Sequence, residues 1–316
     1  MIKDRRAFIC GIKGLILSKK ETKFLKKFKP WGIILFKRNI KSIEQTRNLT
    51  NQIKKIFNDK TYPIIIDEEG GRVSRLSNFI DNSLFTGDYL GTLFKNNKKK
   101  FYLYNQVYTK QISYLLYLLG ININTVPILD IRRKKSNNVI GDRAYSDNKK
   151  NVSLIGENVI KNFHKCKIAT VIKHIPGHGL SKVDSHFKLP IINKTYSYLK
   201  NNDFAPFKKK DSIFAMTGHL LYKKIDPNNC STHSKKIIKI IRKDIGFKKI
   251  IISDDISMKA LKYSISKNTT KAFIAGCNIV LHCNGNLKEM QEVAHNSPLI
   301  SKFIVDKTSQ FRKIIS

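Results

Sequence analysis

Short β-branched runs alternate with longer helical patterns about eight times along this 316-residue chain, which predicts an α/β fold: a single-domain, closed TIM-type (β/α)8 barrel over residues 1–316. Two further observations favour a barrel. Asp67, Arg143, Lys173, His174, His219 and Asp254 all fall at or just past the C-terminal ends of the predicted strands, and in a barrel those ends converge on one face. The alternative, a doubly wound open sheet, usually carries a glycine-rich phosphate loop after its first strand; Gly11 and Gly14 lack the G-x-G-x-x-G spacing.

Taken in order, Ala7–Ile12 is the first candidate strand and Gly32–Phe36 the second. A helix follows, with Ser42 as its cap, Glu44 in its first turn, and Ile43, Leu49, Ile53, Ile56 and Phe57 on its apolar side. Pro63–Ile66 is a third strand, running into Asp67-Glu68-Glu69-Gly70-Gly71-Arg72-Val73-Ser74-Arg75. A helical stretch through Ile112–Leu119 stops at Gly120, a natural C′ glycine. Ile121–Asp130 is the next strand region, with Gly141-Asp142-Arg143 on its loop, and a helix lies around Val152–His164. Ile168–Ile172 reads as a short buried strand. Behind it, Pro176, Gly177 and Gly179 in Lys173-His174-Ile175-Pro176-Gly177-His178-Gly179 break any regular element. This places the histidines on a loop whose glycines predict a mobile hinge, with Asp184-Ser185-His186 at its far end. Ser212–Met216, Lys249–Ile252 and Ile279–Leu281 complete the strand set.

With 41% hydrophobic residues spread along its length the chain can bury a core. Its net charge of +37 points to polyanions, but lysine greatly outnumbers arginine, whose planar fork reads bases and phosphates. The lysines are dispersed, with small clusters only at Lys98–Lys100 and Lys208–Lys210. That pattern argues for compositional drift and against specific nucleic-acid recognition, while leaving non-specific polyanion adhesion. Five scattered cysteines without a C-x-x-C pair indicate neither a disulfide framework nor a zinc knuckle. The N-terminal apolar run breaks at Lys13, a poor signal peptide, and no run approaches a membrane span. The expectation is therefore a cytoplasmic protein with no membrane partner, working as a monomer.

Two chemistries fit the converging carboxylates, histidines and cations. In the first, His174, His178, Asp184 and His186 ligate a metal and Asp254 acts as base, although no helical i, i+4 histidine pair supports it. In the second, a carboxylate attacks a sugar carbon while a separate acid protonates the leaving oxygen. Residue types alone leave Asp184, Glu69 and His186 open as that acid; a histidine near neutral pKa beside a carboxylate is workable.

In the order they occur, Ile34–Asn39, Ile66–Leu76 (IDEEGGRVSRL), Gly141-Asp142-Arg143, Lys173–Gly179 (KHIPGHG), Asp184-Ser185-His186, Met216–His219 and Ser253–Met258 (SDDISM) resemble the single-domain bacterial β-N-acetylglucosaminidases of glycoside hydrolase family 3. The resemblance implies Asp254 as nucleophile, His186 as general acid/base and Asp184 as the residue that orients it. It further implies that Asp67, Arg75, Arg143, Lys173 and His174 bind N-acetylglucosamine (GlcNAc). The implied reaction is retaining, with no metal or cofactor. The implied substrate is a muropeptide fragment, GlcNAc linked β-1,4 to 1,6-anhydro-N-acetylmuramic acid (anhydroMurNAc), from peptidoglycan recycling. A barrel that binds polyanions without catalysis is the competing class. Departures from the family pattern are Ile175 for phenylalanine, Gly218 for alanine, a missing glycine after Met258, and Asn278 for an aspartate, the last putting a structural hydrogen bond in question. Asp255, His178, Glu68, His282 and Cys283 are expected to be structural, with Glu68 and Glu69 as acceptors for the Gly70-Gly71 turn and Glu69 also within reach of the site; His219 is read equally as a core or a site histidine.

Overall fold

A computed structural model describes residues 2–133, 138–185 and 187–316. Its strands are β1 (Arg6–Gly11), β2 (Pro30–Leu35), β3 (Ile64–Ile66), β4 (Ile123–Asn124), β5 (Ala169–Ile175), β6 (Ile191–Ile192), β7 (Phe214–Thr217), β8 (Leu221–Tyr222), β9 (Ile250–Asp255) and β10 (Ile279–His282). Eight of them, all parallel, close in the order β1-β10-β9-β7-β5-β4-β3-β2, while β6 and β8 form a separate two-stranded ladder. The helices are α1 (Lys19–Phe28), α2 (Ile43–Ile56), α3 (Gly87–Asn96), α4 (Lys98–Leu119), α5 (Lys149–Lys165), α6 (Tyr196–Asn201), α7 (Lys235–Ile240), α8 (Ile265–Ala275), α9 (Leu287–His295) and α10 (Lys302–Ile315). The fold is the expected α/β barrel.

Alternation along each strand builds two apolar layers. Ala7, Ile9, Ile34, Ile65, Ile123, Val171, Ile252 and Leu281 fill the barrel. Phe8, Cys10, Ile33, Leu35, Ile64, Ile66, Ile172 and Val280 face the helices. The last helix, α10, closes the end where the strands begin: Phe311 lies 5.7 Å from the Phe214 ring, and Trp31 donates from Nε1 to Thr308 Oγ1 at 3.0 Å. With α10 packed there, the cavity described below opens at the opposite end, where the strands finish.

Each of the ten α-helices starts on a Ser, Thr or Asn whose side chain accepts a first-turn N–H, from Ser18 (with a full capping box to Glu21) to Ser301. Each cap is worth about 1 kcal/mol. They explain how a chain with only 8 prolines still delimits its helices sharply.

Two strand predictions change. Of Ile121–Asp130 only Ile123–Asn124 forms continuous strand, with a single further parallel bridge from Ile128 to Lys173, because side chains interrupt the ladder. Asn122 Oδ1 accepts from Ile64 N at 2.9 Å, Asn124 brackets Glu68 by accepting from its N and donating to its O, and Pro127 has no N–H to offer. Strand β5 continues to Ile175, so Lys173 and His174 are strand residues and the loop starts after them.

Candidate active site

The strand ends deliver the polar residues to one cavity of about 200 Å³. Asp67, Glu69 and Arg75 come from the loop after β3, Arg143 from a short turn after β4, Lys173 and His174 from the end of β5, and Asp254 and Asp255 from the end of β9. Phe36, Met216, Met258 and Leu281 supply apolar wall. Asp67, Arg143, Lys173, His174 and Asp254 thus share one cavity, as their placement at strand ends predicts, and Arg75, implied by the resemblance, joins them, whereas His219 does not line it. Ser185 also lines it, beside half-buried Asp184. His186, the expected acid/base, lies outside the described residues.

A charge network organises one wall. Glu69 is buried and takes two bonds from Arg143, Nε at 2.7 Å and Nη2 at 2.8 Å, plus Lys173 Nζ at 2.7 Å. Lys173 also donates to Asp67 Oδ1 at 3.1 Å and Thr125 Oγ1 at 2.7 Å, and Arg75 Nη2 stands 3.8 Å from Asp67 Oδ2. Burial alone would raise both carboxyl pKa values; the Arg143 and Lys173 charges hold Glu69 far below the usual range, and Lys173 and Arg75 hold Asp67 below it. Burial would likewise deprotonate Lys173, but Asp67 and Glu69 raise its pKa, so it stays charged. In a chain of net charge +37, this cavity carries as many carboxylates as cations or more: Asp67, Glu69, Asp254 and Asp255 against Arg75, Arg143 and Lys173.

A second network holds the histidine segment. Fully buried Asp130 accepts from His174 Nδ1 at 2.7 Å, from His174 N and from His178 N at 2.6 Å. This fixes the tautomer of His174 and turns its other ring nitrogen outward from Asp130. His178 reaches Ser185 Oγ through Nε2 at 3.2 Å, and burial followed by the neighbouring His174 lowers its pKa to about 4, so it is neutral at pH 7.

The mobile hinge expected at Pro176–Gly179 is not what the structure has. These residues are buried, Tyr222 OH donates to Gly177 O at 2.6 Å, and Gly177 N bonds back to His174 O at 2.8 Å. The glycines serve close approach: a Cβ on Gly179 would lie 2.0 Å from Ile131 O, and one on Gly177 would lie 2.8 Å from Asp203 O.

Among the residues expected to be structural, Glu68 accepts from Arg75 N, Leu76 N and Asn82 Nδ2, so it braces the Ser74–Leu76 segment and not the Gly70-Gly71 turn. Glu69 belongs to the site outright. Asp255 binds Ser257 through N and Oγ and Cys283 N, anchoring the end of β9 to β10 while still edging the cavity. His219 is a core histidine, bonded to Thr232 Oγ1 and Asp255 O. Asn278 retains the hydrogen bonding placed in question: its Oδ1 accepts from Ile251 N at 2.8 Å and Arg242 Nη2 at 2.6 Å. Sequence reasoning missed Asp130 and Thr125. Asp130 carried the same signal as Asp67 and Asp254, a carboxylate directly after an apolar run. Among the described residues no group of three His, Cys, Asp or Glu side chains is arranged to hold a metal ion.

The sequence profile described as "Glycosyl hydrolase family 3 N terminal domain" matches residues 11–310. A β-hexosaminidase of Nitrosomonas eutropha is 32% identical over 264 residues, covering 80% of this chain and 73% of that protein. Crystal structures of NagZ from Neisseria gonorrhoeae superpose over 98% of this chain and 90% of theirs. The complex with N-trifluoroacetyl-D-glucosamine does so at 27% identity and a TM-score of 0.87, the complex with zinc ion at 28% and 0.85.

Proposed function

This chain belongs to glycosyl hydrolase family 3 and is a hydrolase of the β-hexosaminidase kind, and on that premise we propose that it is a retaining exo-β-N-acetylglucosaminidase whose nucleophile is Asp254. Asp254 attacks C1 of the terminal GlcNAc as the bond from C1 to the leaving oxygen breaks, and His186 gives that oxygen its proton. His186 then takes a proton from water, the resulting hydroxide attacks C1 from the face the leaving group vacated, and Asp254 departs as a carboxylate, so the configuration is retained. Asp184 orients His186 and favours its charged form. Asp67, Arg75, Arg143, Lys173 and His174 hold the sugar hydroxyls and the N-acetyl group by directional, charge-assisted hydrogen bonds. The substrate is GlcNAc-β-1,4-anhydroMurNAc with or without its peptide, and the setting is cytoplasmic peptidoglycan recycling. No helix among the described residues is long and apolar enough to cross a membrane.

One observation carries the reading. Asp254 lines the same small cavity as a wall of fixed, ion-paired charges that offers sugar hydroxyl groups both donors and acceptors. The N-acetylglucosamine derivative in the Neisseria NagZ complex supports the same sugar class for this cavity. The test is release of the chromophore from an aryl β-N-acetylglucosaminide, with and without a chelator. Turnover that survives the chelator and is abolished in Asp254→Ala is expected. Turnover lost to the chelator would favour the metal-dependent alternative built on His174, His178, Asp184 and His186, and an active Asp254→Ala would sink the nucleophile assignment.

A further inference from the structure

The described residues include 17 large apolar or aromatic side chains that are exposed, and six of them sit on α4, a helix of only 22 residues: Tyr102, Leu103, Tyr104, Val107, Tyr114 and Tyr117. Uniform compositional drift does not concentrate them this way. Leu103, Val107, Tyr114 and Tyr117 recur at spacings of four, seven and three, so they form one stripe along the outer face of the helix, about 21 Å long at 1.5 Å per residue. Exposed Lys99, Lys100 and Lys110 share that face. At its C-terminal end the stripe runs into a hollow of about 640 Å³, to which Tyr114 and Tyr117 contribute.

That hollow lies at the end of the barrel opposite the active site, beside the residues that precede β3, β4 and β5. Its basic lining is Arg47, Lys54, Lys60, Lys110 and Lys167, with Ser316 also on its rim; Arg47 Nη1 donates to Tyr117 O at 2.6 Å and Lys54 Nζ to Gly120 O at 2.7 Å, so these two cations also cap the end of α4. Lys54 is crowded enough that burial, then Arg47, lowers its pKa to about 8. The Oγ of buried Ser113, also lining the hollow, has no hydrogen-bond partner among the described residues.

We propose that the outer face of α4 and the basic hollow at its end form a docking surface for an anionic phospholipid membrane, the stripe resting among the acyl-chain boundaries and the hollow taking a phosphate headgroup. Charge complementarity selects the occupant. A second copy of this chain would bring another net +37 against the same lysines. A nucleic acid would find Tyr114 and Tyr117 to stack on but would leave Leu103 and Val107 facing solvent or phosphate, which an acyl-chain boundary does not. Tyrosines and aliphatic residues flanked by lysines are the composition of a helix lying in a lipid interface, where long lysine stems reach out to the headgroups. Because the surface avoids the barrel mouth, the docked protein keeps its cavity open.

The test is co-sedimentation of the full chain with phosphatidylglycerol vesicles, phosphatidylcholine vesicles and single-stranded RNA, for the natural protein and for Leu103→Glu/Val107→Glu. Binding to phosphatidylglycerol but not phosphatidylcholine is expected, weakened at least about tenfold in the double variant by loss of interfacial burial and addition of like charge to the lipid. Hydrolysis of the soluble aryl substrate should be equal in both proteins, which confirms the fold of the variant. Lys110→Gln should weaken binding about fivefold. Equal vesicle binding by the natural and double-variant proteins, or tighter binding to RNA than to vesicles with no effect of the double substitution, would overturn the proposal and leave only the general charge of the chain.

Discussion

Replacing Glu69 by glutamine removes one buried negative charge from between two buried cations while conserving volume. Arg143 loses its bidentate partner and Lys173 keeps only Asp67 and Thr125. Breaking a buried ion pair from one side costs about 3–5 kcal/mol, because the surviving charges remain desolvated. At ~2.1 cal/mol/K of unfolding entropy per residue, a chain of 316 residues has roughly 0.66 kcal/mol/K at its midpoint, so the expected fall in Tm is about 5–8 °C. Differential scanning calorimetry of the purified protein at pH 7 reads this directly. The pH dependence carries a second signature. The folded-state pKa of Glu69 is depressed, so its stabilisation is fully present above the unfolded value near 4.5 and is lost as the pH falls below that value. The Tm difference between natural and Glu69→Gln proteins should therefore be constant from pH 7 to about 5.5 and shrink in more acid solution. A difference under 1 °C at pH 7, or one that grows as the pH drops below 4.5, would refute the argument that this carboxylate holds the two cations in place.

The other predictions concern packing and chemistry. Gly179→Ala forces its Cβ against Ile131 O, so the His174–Asp130 segment must shift; activity should fall at least about tenfold with a lowered Tm, and a fully active variant would restore the hinge reading. Phe311→Ala opens the sealed end of the barrel beside Trp31 and Phe214 and should cost about 3–5 kcal/mol in urea unfolding, without changing KM. His186→Ala should damage hydrolysis of the natural disaccharide far more than that of an activated aryl glycoside, since a good leaving group hardly needs protonation; equal losses would argue against the acid role.

Much of this was legible from local pattern. Strands β1, β2, β3, β5, β7, β9 and β10 are runs of β-branched or aromatic residues, and the rule that barrel chemistry gathers at strand ends found most of the cavity. What failed were features decided by tertiary contact. The glycines of Lys173–Gly179 look like freedom in a sequence, but the backbone of Ile131 and Asp203 presses on them, and only the folded chain reveals that. Strand β4 nearly vanishes because Asn122 and Asn124 satisfy neighbouring backbone groups with their side chains. The doubt over Asn278 dissolved for a related reason: Ile251 N and Arg242 need an acceptor oxygen, and an amide supplies one as well as a carboxylate does. The net charge reads as compositional drift, and the cavity is consistent with that, since its carboxylates match its cations despite the +37 of the whole chain.

The assignment of Asp254 stands behind the whole account and can be tested in one step. The protein is incubated with a slow, fluorinated GlcNAc-type substrate, digested, and the peptides are weighed by mass spectrometry. A glycosyl adduct on Asp254, in the peptide containing Ser253-Asp254-Asp255, is the predicted result. An adduct on Asp255, Glu69 or Asp184, or turnover of the reagent with inversion and no adduct, would contradict it.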